Sequence, residues 1–283
     1  MLKALISRMN YALRDLLNEQ IQLHQEYSRI KNEIKAASPE NPALYGHKIY
    51  SQFDEDGIID HVFSKIGEGR RTFIEIGCSN GLENNSHALI LKGWRGVWID
   101  ADTDKISFIK RNVPTTNHLV VRRAFVSTEN ALALIEDSLH SLCEKDIDFL
   151  SVDIDGNDLG VLRCLMAKLR PRLICVEYNA KFPPPLDISI DDAHTKGWSG
   201  DDYQGASLAA FVKTLSPFGY TLITCNLTGA NAFFVSEADA LLFPSYSTAQ
   251  LYRPAHYQLR RLVSGHPASL KFLADSLRAR GGN

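Results

Sequence analysis

The chain predicts an α/β fold: a mostly parallel sheet of about seven strands with helices on both faces and the last strand antiparallel. Three observations carry this. Five short segments are apolar throughout, which suits strands buried on both faces. They alternate with helical stretches, the order that a parallel sheet with crossover helices requires. Two further apolar segments, residues 220–226 and 231–235, are separated only by Leu227-Thr228-Gly229-Ala230, a link so short that they must form an antiparallel hairpin at one sheet edge.

In chain order, residues 1–38 form a heptad helix. Leu2, Ile6, Met9, Leu13, Leu16, Gln20, Leu23, Tyr27, Ile30 and Ile34 alternate by four and three, with Gln20 the polar member. A stripe so narrow suits pairing with a second copy or packing across a partner's domain; the other reading is an amphipathic helix lying on its own domain. Pro39 and Pro42 end the helix and open a linker. The α/β domain spans residues 45–245. Its strands are expected at 72–77, 96–100, 118–122, 148–153 and 173–177, and its helices at 56–66, from 85, at 105–111, 129–140 and 158–169. A long polar, Pro-rich loop at 181–205 precedes a helix at 206–215 and the hairpin. Residues 246–283 read as a C-terminal helical appendage, interrupted by Gly265 and Pro267.

The 283 residues carry 31 basic and 33 acidic side chains, a net charge of -2, which argues against a broad nucleic-acid footprint. The five cysteines are odd in number and share no CxxC spacing, as expected of free thiols in a reducing compartment. Charged residues interrupt the apolar N-terminus, and no segment approaches the ~20 apolar residues of a membrane span. A cytoplasmic location is expected.

Ligands of open parallel sheets gather at the carboxyl ends of the strands. Here the first strand ends in Glu75-x-Gly77-x-Ser79-Asn80-Gly81, the second in Asp100-Ala101-Asp102, and the third in Ala124-Phe125-Val126-Ser127. The fourth ends in Asp153-Ile154-Asp155-Gly156-Asn157-Asp158 and the fifth in Glu177-Tyr178-Asn179. A carboxylate closing the second strand suits a ribose diol, so the set reads as a nucleoside site. A dinucleotide fold would show Gly-x-Gly-x-x-Gly opening directly into a helix that meets a pyrophosphate. Gly77 and Gly81 are instead followed by Leu82-Glu83-Asn84-Asn85-Ser86, with an acid where phosphates would lie. A cationic, phosphate-free nucleoside such as S-adenosylmethionine (SAM) fits better.

These segments carry a resemblance. Residues 73–81, 93–100 and 148–156, with Ser51-Gln52-Phe53-Asp54-Glu55-Asp56-Gly57 before the first strand and Gly229-Ala230-Asn231-Ala232-Phe233-Phe234-Val235 at the last, are similar to the FkbM-type SAM-dependent methyltransferases. The resemblance covers residues 50–235. It implies a Rossmann-like class I methyltransferase sheet of seven strands. It also implies that Glu75, Gly77 and Asn80 line the methionine moiety, that Asp100 takes the ribose hydroxyls with Ala101 beside it, and that Ala124 and Phe125 flank the adenine. Gln52 and Asp56 would close the pocket, and Asp153 would complete the cofactor set. Where the family has Asp-Val-Glu-Gly, this chain has Asp153-Ile154-Asp155-Gly156. The acceptors implied are hydroxyls of a sugar, glycan or glycosylated natural product, with polyketide hydroxyls also in the family's range.

Asp153 and Asp155 share parity on one strand, as do Glu177 and Asn179 on the next, so the four can face one space. Oxygen ligands of this kind suit Mg2+ holding an acceptor hydroxyl; the other reading is that these acids only bind cofactor and cap helices. Asp155, Lys181 and His194 are the catalytic candidates, with Asp191 and Asp192 as further bases, and Trp198, Tyr203 and Pro183-Pro184-Pro185 as a lid over a sugar face. Two alternatives stand beside the methyltransferase: an NAD-type oxidoreductase, and a catalytically silent scaffold assembled by the N-terminal helix.

Overall fold

The computed structural model describes residues 2–191, 198–262 and 265–281. After the helix α1 (Leu2–Ala37) the chain runs α2 (Glu55–Ile66), β1 (Thr72–Ile76), α3 (His87–Leu91), β2 (Arg95–Asp100), α4 (Thr103–Asn112) and β3 (Leu119–Arg123). It continues through α5 (Ala131–Ser141), β4 (Phe149–Val152), α6 (Asp158–Met166), β5 (Leu173–Glu177), α7 (Leu208–Leu215), β6 (Tyr220–Cys225) and β7 (Asn231–Ser236). Two single-turn helices, α8 (Glu237–Ala240) and α9 (Thr248–Leu251), a 3₁₀ turn at Tyr257–Arg261 and α10 (Lys271–Gly281) complete it.

The seven strands form one sheet in the order β3-β2-β1-β4-β5-β7-β6. Neighbours from β3 to β5 pair in parallel, and β7 runs antiparallel to both β5 and β6, which is the sheet expected of a class I methyltransferase fold. Strand alternation sorts the core into two layers. Ile74, Val97, Leu150 and Ile174 face α5, α6 and α7, while Phe73, Trp98, Phe149 and Cys175 face α2, α3, α4 and α10. The order reverses between β1 and β4, which places the ligand crevice at their carboxyl ends.

The heptad seam of α1 divides in two. Leu23, Ile30 and Ile34 are buried against Ala43, Phe53, Leu227 and Leu259 of the same chain. Met9, Leu13 and Leu16, with Leu17 and Ile21 beside them, stay between 55% and 63% exposed. The segment after α1 is no open linker. Ser38, Asn41, Pro42 and Ala43 are buried, and Asn41 Oδ1 accepts from the Ala43 amide at 2.9 Å and from Thr224 Oγ1 at 2.6 Å. The C-terminal stretch is likewise built in: Leu251, Leu259 and Leu273 bury in three different parts of the core. Among the described residues no helix is long and apolar enough to cross a membrane.

Candidate functional site

The carboxyl ends of β1, β2, β4 and β5 open into one cavity of about 1400 Å³. Its floor follows from Gly77. The residue sits at φ 91°, and a Cβ there would lie 1.5 Å from the Asp153 carbonyl oxygen, so only glycine lets β1 and β4 end side by side. The Gly77 and Cys78 amides both donate to the Ile99 carbonyl, at 2.8 and 3.1 Å, turning the chain across β2. The Ser79 amide then donates to Asp100 Oδ2 at 2.7 Å, and the Asp102 amide to Asp100 Oδ1 at 2.8 Å. Two backbone donors thus fix the Asp100 carboxylate, which lines the cavity and has lone pairs left to accept further bonds.

Glu75 is 5% exposed, and its carboxylate gathers the loop after β1. It accepts from the Asn85 amide at 2.8 Å, the Ser86 amide at 3.1 Å, Asn84 Nδ2 at 3.3 Å and Ser86 Oγ. Burial pushes its pKa up and these donors pull it back. It therefore shapes the loop as well as lining the cavity. Gly77, Asn80, Ala101, Ala124 and Phe125 also line it, with Phe125 half exposed at the rim.

On the N-terminal side Gln52 lines the cavity with Lys48, Ile49 and Tyr50. Asp56 is not in the wall. One of its oxygens accepts from the amides of Ile49, Tyr50 and Ser51 at 2.7, 2.6 and 2.7 Å, so it folds the loop that carries Gln52 rather than meeting a ligand. His87 supports the same loop from beneath: its ring stacks on Tyr50, and its Nδ1–H donates to the Gly81 carbonyl at 2.8 Å.

Three carboxyls meet where β4 and β5 end. Carboxylate oxygens of Asp153, Asp155 and Glu177 lie within 4.8 Å of one another. Asp158, 1% exposed, accepts from the Ile154 and Gly156 amides at 2.8 and 3.2 Å and so shapes the turn that holds Asp155 at φ 51°. Burial and the neighbouring acids push Asp153 and Glu177 upward. Three crowded carboxyls without a basic partner among the described residues favour a shared proton or a cation.

Two expected site residues lie elsewhere. Asn179 is turned away from the acids: its Nδ2 donates to the carbonyls of Asp202 and Gln204 at 3.0 and 3.1 Å, and its Oδ1 accepts the Lys181 amide at 3.2 Å. It ties down the loop after β5. Lys181 is exposed, ion-paired with Asp202 and outside the cavity wall. Asp191 is exposed and also outside the wall, whereas Trp198 and Gln204 line it. Asp192 and His194 lie outside the described residues. The remaining wall comes from segments that sequence reasoning did not connect with the site: Tyr257, Arg260, His266 and Phe272.

Neither a protein-family model nor a curated protein sequence matches the chain. Among solved structures it is similar to the N-terminal domain of EvdMO1 with S-adenosylhomocysteine (SAH) bound, at 11% identity and TM-score 0.42 over 74% of this chain and 96% of that one. It is similar to an O-methyltransferase from Bacillus cereus in complex with SAH, at 17% identity and TM-score 0.40 over 74% of this chain and 90% of that one. It is also similar to the glycopeptide N-methyltransferase MtfA complexed with SAM, at 14% identity and TM-score 0.34 over 58% and 81%. The fold rests on the strand order of the chain itself, and the chemistry on its cavity.

Proposed function

We propose that the protein is a SAM-dependent O-methyltransferase of the FkbM type, acting on a hydroxyl of a sugar or glycosylated natural product. One observation carries the reading: the cavity at the sheet's switch point is walled by Glu75, Asp100, Asp153, Asp155 and Glu177. Over the turn after β1, where a dinucleotide would lay its pyrophosphate, Glu75 and Asp100 repel an anion and suit a sulfonium cation, which disfavours the NAD-type alternative. SAM brings an electrophilic methyl group that an acceptor oxygen takes by in-line displacement. The protein's task is alignment and removal of the hydroxyl proton. Asp100 holds the ribose, Phe125 covers the adenine, the turn at residues 77–81 runs along the methionine, and Asp155 stands at the acceptor end.

Asp153, Asp155 and Glu177 offer the oxygen donors a small divalent cation requires, and such a cation would compete with protons for them. Mg2+ held there would bind the acceptor hydroxyl and lower its pKa.

Tryptophan quenching titrated with SAH and with NAD tests the reading. SAH should bind and NAD should not, and Asp100→Ala should weaken SAH by roughly ten- to a hundredfold, the loss of charge-assisted bonds to a diol. NAD binding in place of SAH would overturn it. For the metal, calorimetry of Mg2+ into the SAH complex should show binding that Asp153→Asn removes; full activity in chelator excludes it.

Assembly through α1 belongs to the same reading. Met9, Leu13, Leu16, Leu17 and Ile21 form one exposed face, continuous with the seam that the chain buries for itself further on. Covering five such side chains removes on the order of 100 Å² each, so two copies reach roughly 1,000 Å², the size at which a specific interface begins. The occupant we infer is α1 of a second copy.

A further inference from the structure

The acceptor side of the cavity is closed by a piece of chain outside the α/β sheet, the 3₁₀ turn Tyr257–Arg261, and α1 holds that turn from behind. Arg261 Nη1 donates to Glu19 Oε1 at 2.9 Å, and Gln20 Nε2 donates to the Arg261 carbonyl at 3.0 Å. His256 Nδ1 lies 3.9 Å from Glu26 Oε1, and Leu259 is fully buried with Leu23, Ile30 and Ile34. In a 3₁₀ helix residues three apart eclipse. With Arg261 given to α1 and Leu259 to the core, Tyr257 and Arg260 share the remaining face, and both line the cavity that holds Asp153, Asp155 and Glu177.

The two side chains are differently engaged from their neighbours. Arg261 is ion-paired, while Arg260 has no hydrogen bond or ion pair among the described residues. The other cations of the wall are placed elsewhere: Lys48 donates to the Gln52 carbonyl at 3.1 Å and lies 3.5 Å from Glu83, and Lys105 follows the Asp102 cap on the ribose side. A phenol donor beside a planar guanidinium fork matches the oxygens of a carboxylate or phosphate. A cavity of about 1400 Å³ leaves room for such a group beside the nucleoside.

We propose that Tyr257 and Arg260 form an acceptor subsite for an anionic group, a carboxylate or phosphate, carried next to the hydroxyl that receives the methyl. The proposal rests on the methyltransferase reading and narrows its acceptor to an acidic one. The test titrates D-glucuronate, D-glucose 6-phosphate and D-glucose into the full chain saturated with SAH, followed by calorimetry. One of the two anions should bind at least tenfold more tightly than glucose, and which one does so separates carboxylate from phosphate. Arg260→Gln should bring that anion to parity with glucose while SAH affinity stays unchanged, and Tyr257→Phe should give a smaller loss. No preference for either anion, including no binding of any of the three, overturns the proposal. So does a weaker SAH affinity in Arg260→Gln, which would put the guanidinium on the cofactor's own carboxylate. Anion binding that depends on Arg260 in a chain that does not bind SAH supports the subsite and overturns the methyltransferase reading instead.

Discussion

His87 lies flat against Tyr50, with ring centroids 3.7 Å apart and planes 6° from parallel, and its Nε2 is buried without a partner. Burial lowers its pKa to about 4. The folded chain therefore holds a neutral ring where the unfolded chain, with an ordinary value near 6.5, takes up a proton. The stability this ring contributes is complete above that value and lost as pH falls toward 4, by about 3 kcal/mol at most. Urea unfolding at pH 7 and pH 4.5 should show a smaller difference in His87→Gln than in the native chain; an unchanged difference would remove His87 as the cause. The ring matters to the site because it supports both Tyr50 and the Gly81 carbonyl. At this scale the sequence revealed the residues whose position is local: Glu75, Asp100, Asp153 and Glu177 close their strands, and a strand end points at the crevice by construction. It did not separate residues that face a ligand from residues that tie loops. Asp56 and Asn179 have the same chemistry as wall residues, and only the path of distant backbone gave their oxygens and amides to Ile49, Tyr50, Asp202 and Gln204.

Among the elements, α1 buries one part of its repeat on its own chain and leaves another part exposed. A heptad pattern is blind to whether its partner is the same chain or another, so the division at Leu23 was not legible in the sequence. The strands were, because runs apolar on both faces have few other homes, and β1 to β7 fall within two residues of where periodicity puts them. The single-turn helices α8 and α9 are too short to show a period. The two halves of α1 predict different outcomes. Ile34, 2% exposed, should cost about 2–4 kcal/mol when cut to alanine, whatever the protein concentration. Leu13→Ser with Leu16→Ser should leave the melting temperature of the domain nearly unchanged and reduce the mass measured by light scattering to that of one chain. A native chain already monomeric would contradict self-association through this helix.

Across the whole molecule, a net charge of -2 conceals a strongly uneven distribution, with acids concentrated at one end of the sheet. A cavity with low-dielectric walls and an excess of one sign of charge focuses its field on a cation. SAM carries a sulfonium where SAH carries a neutral sulfur, so in metal-free protein the affinity for SAM should fall more steeply with salt than that for SAH. Equal slopes would show that the acids do not act on the sulfonium. The turn at 257–261 and α10 also set the order in which the molecule is completed. Both follow β7 in the chain, whereas the seat of the turn, α1, precedes β1. During synthesis the sheet and its row of carboxylates can exist before the wall that encloses them, and α1 waits for the turn at 257–261. The wall formed by Tyr257, Arg260 and Phe272 is therefore a mark of completion: until the segment after β7 has been delivered, the carboxylates at the strand ends lack that side of their cavity.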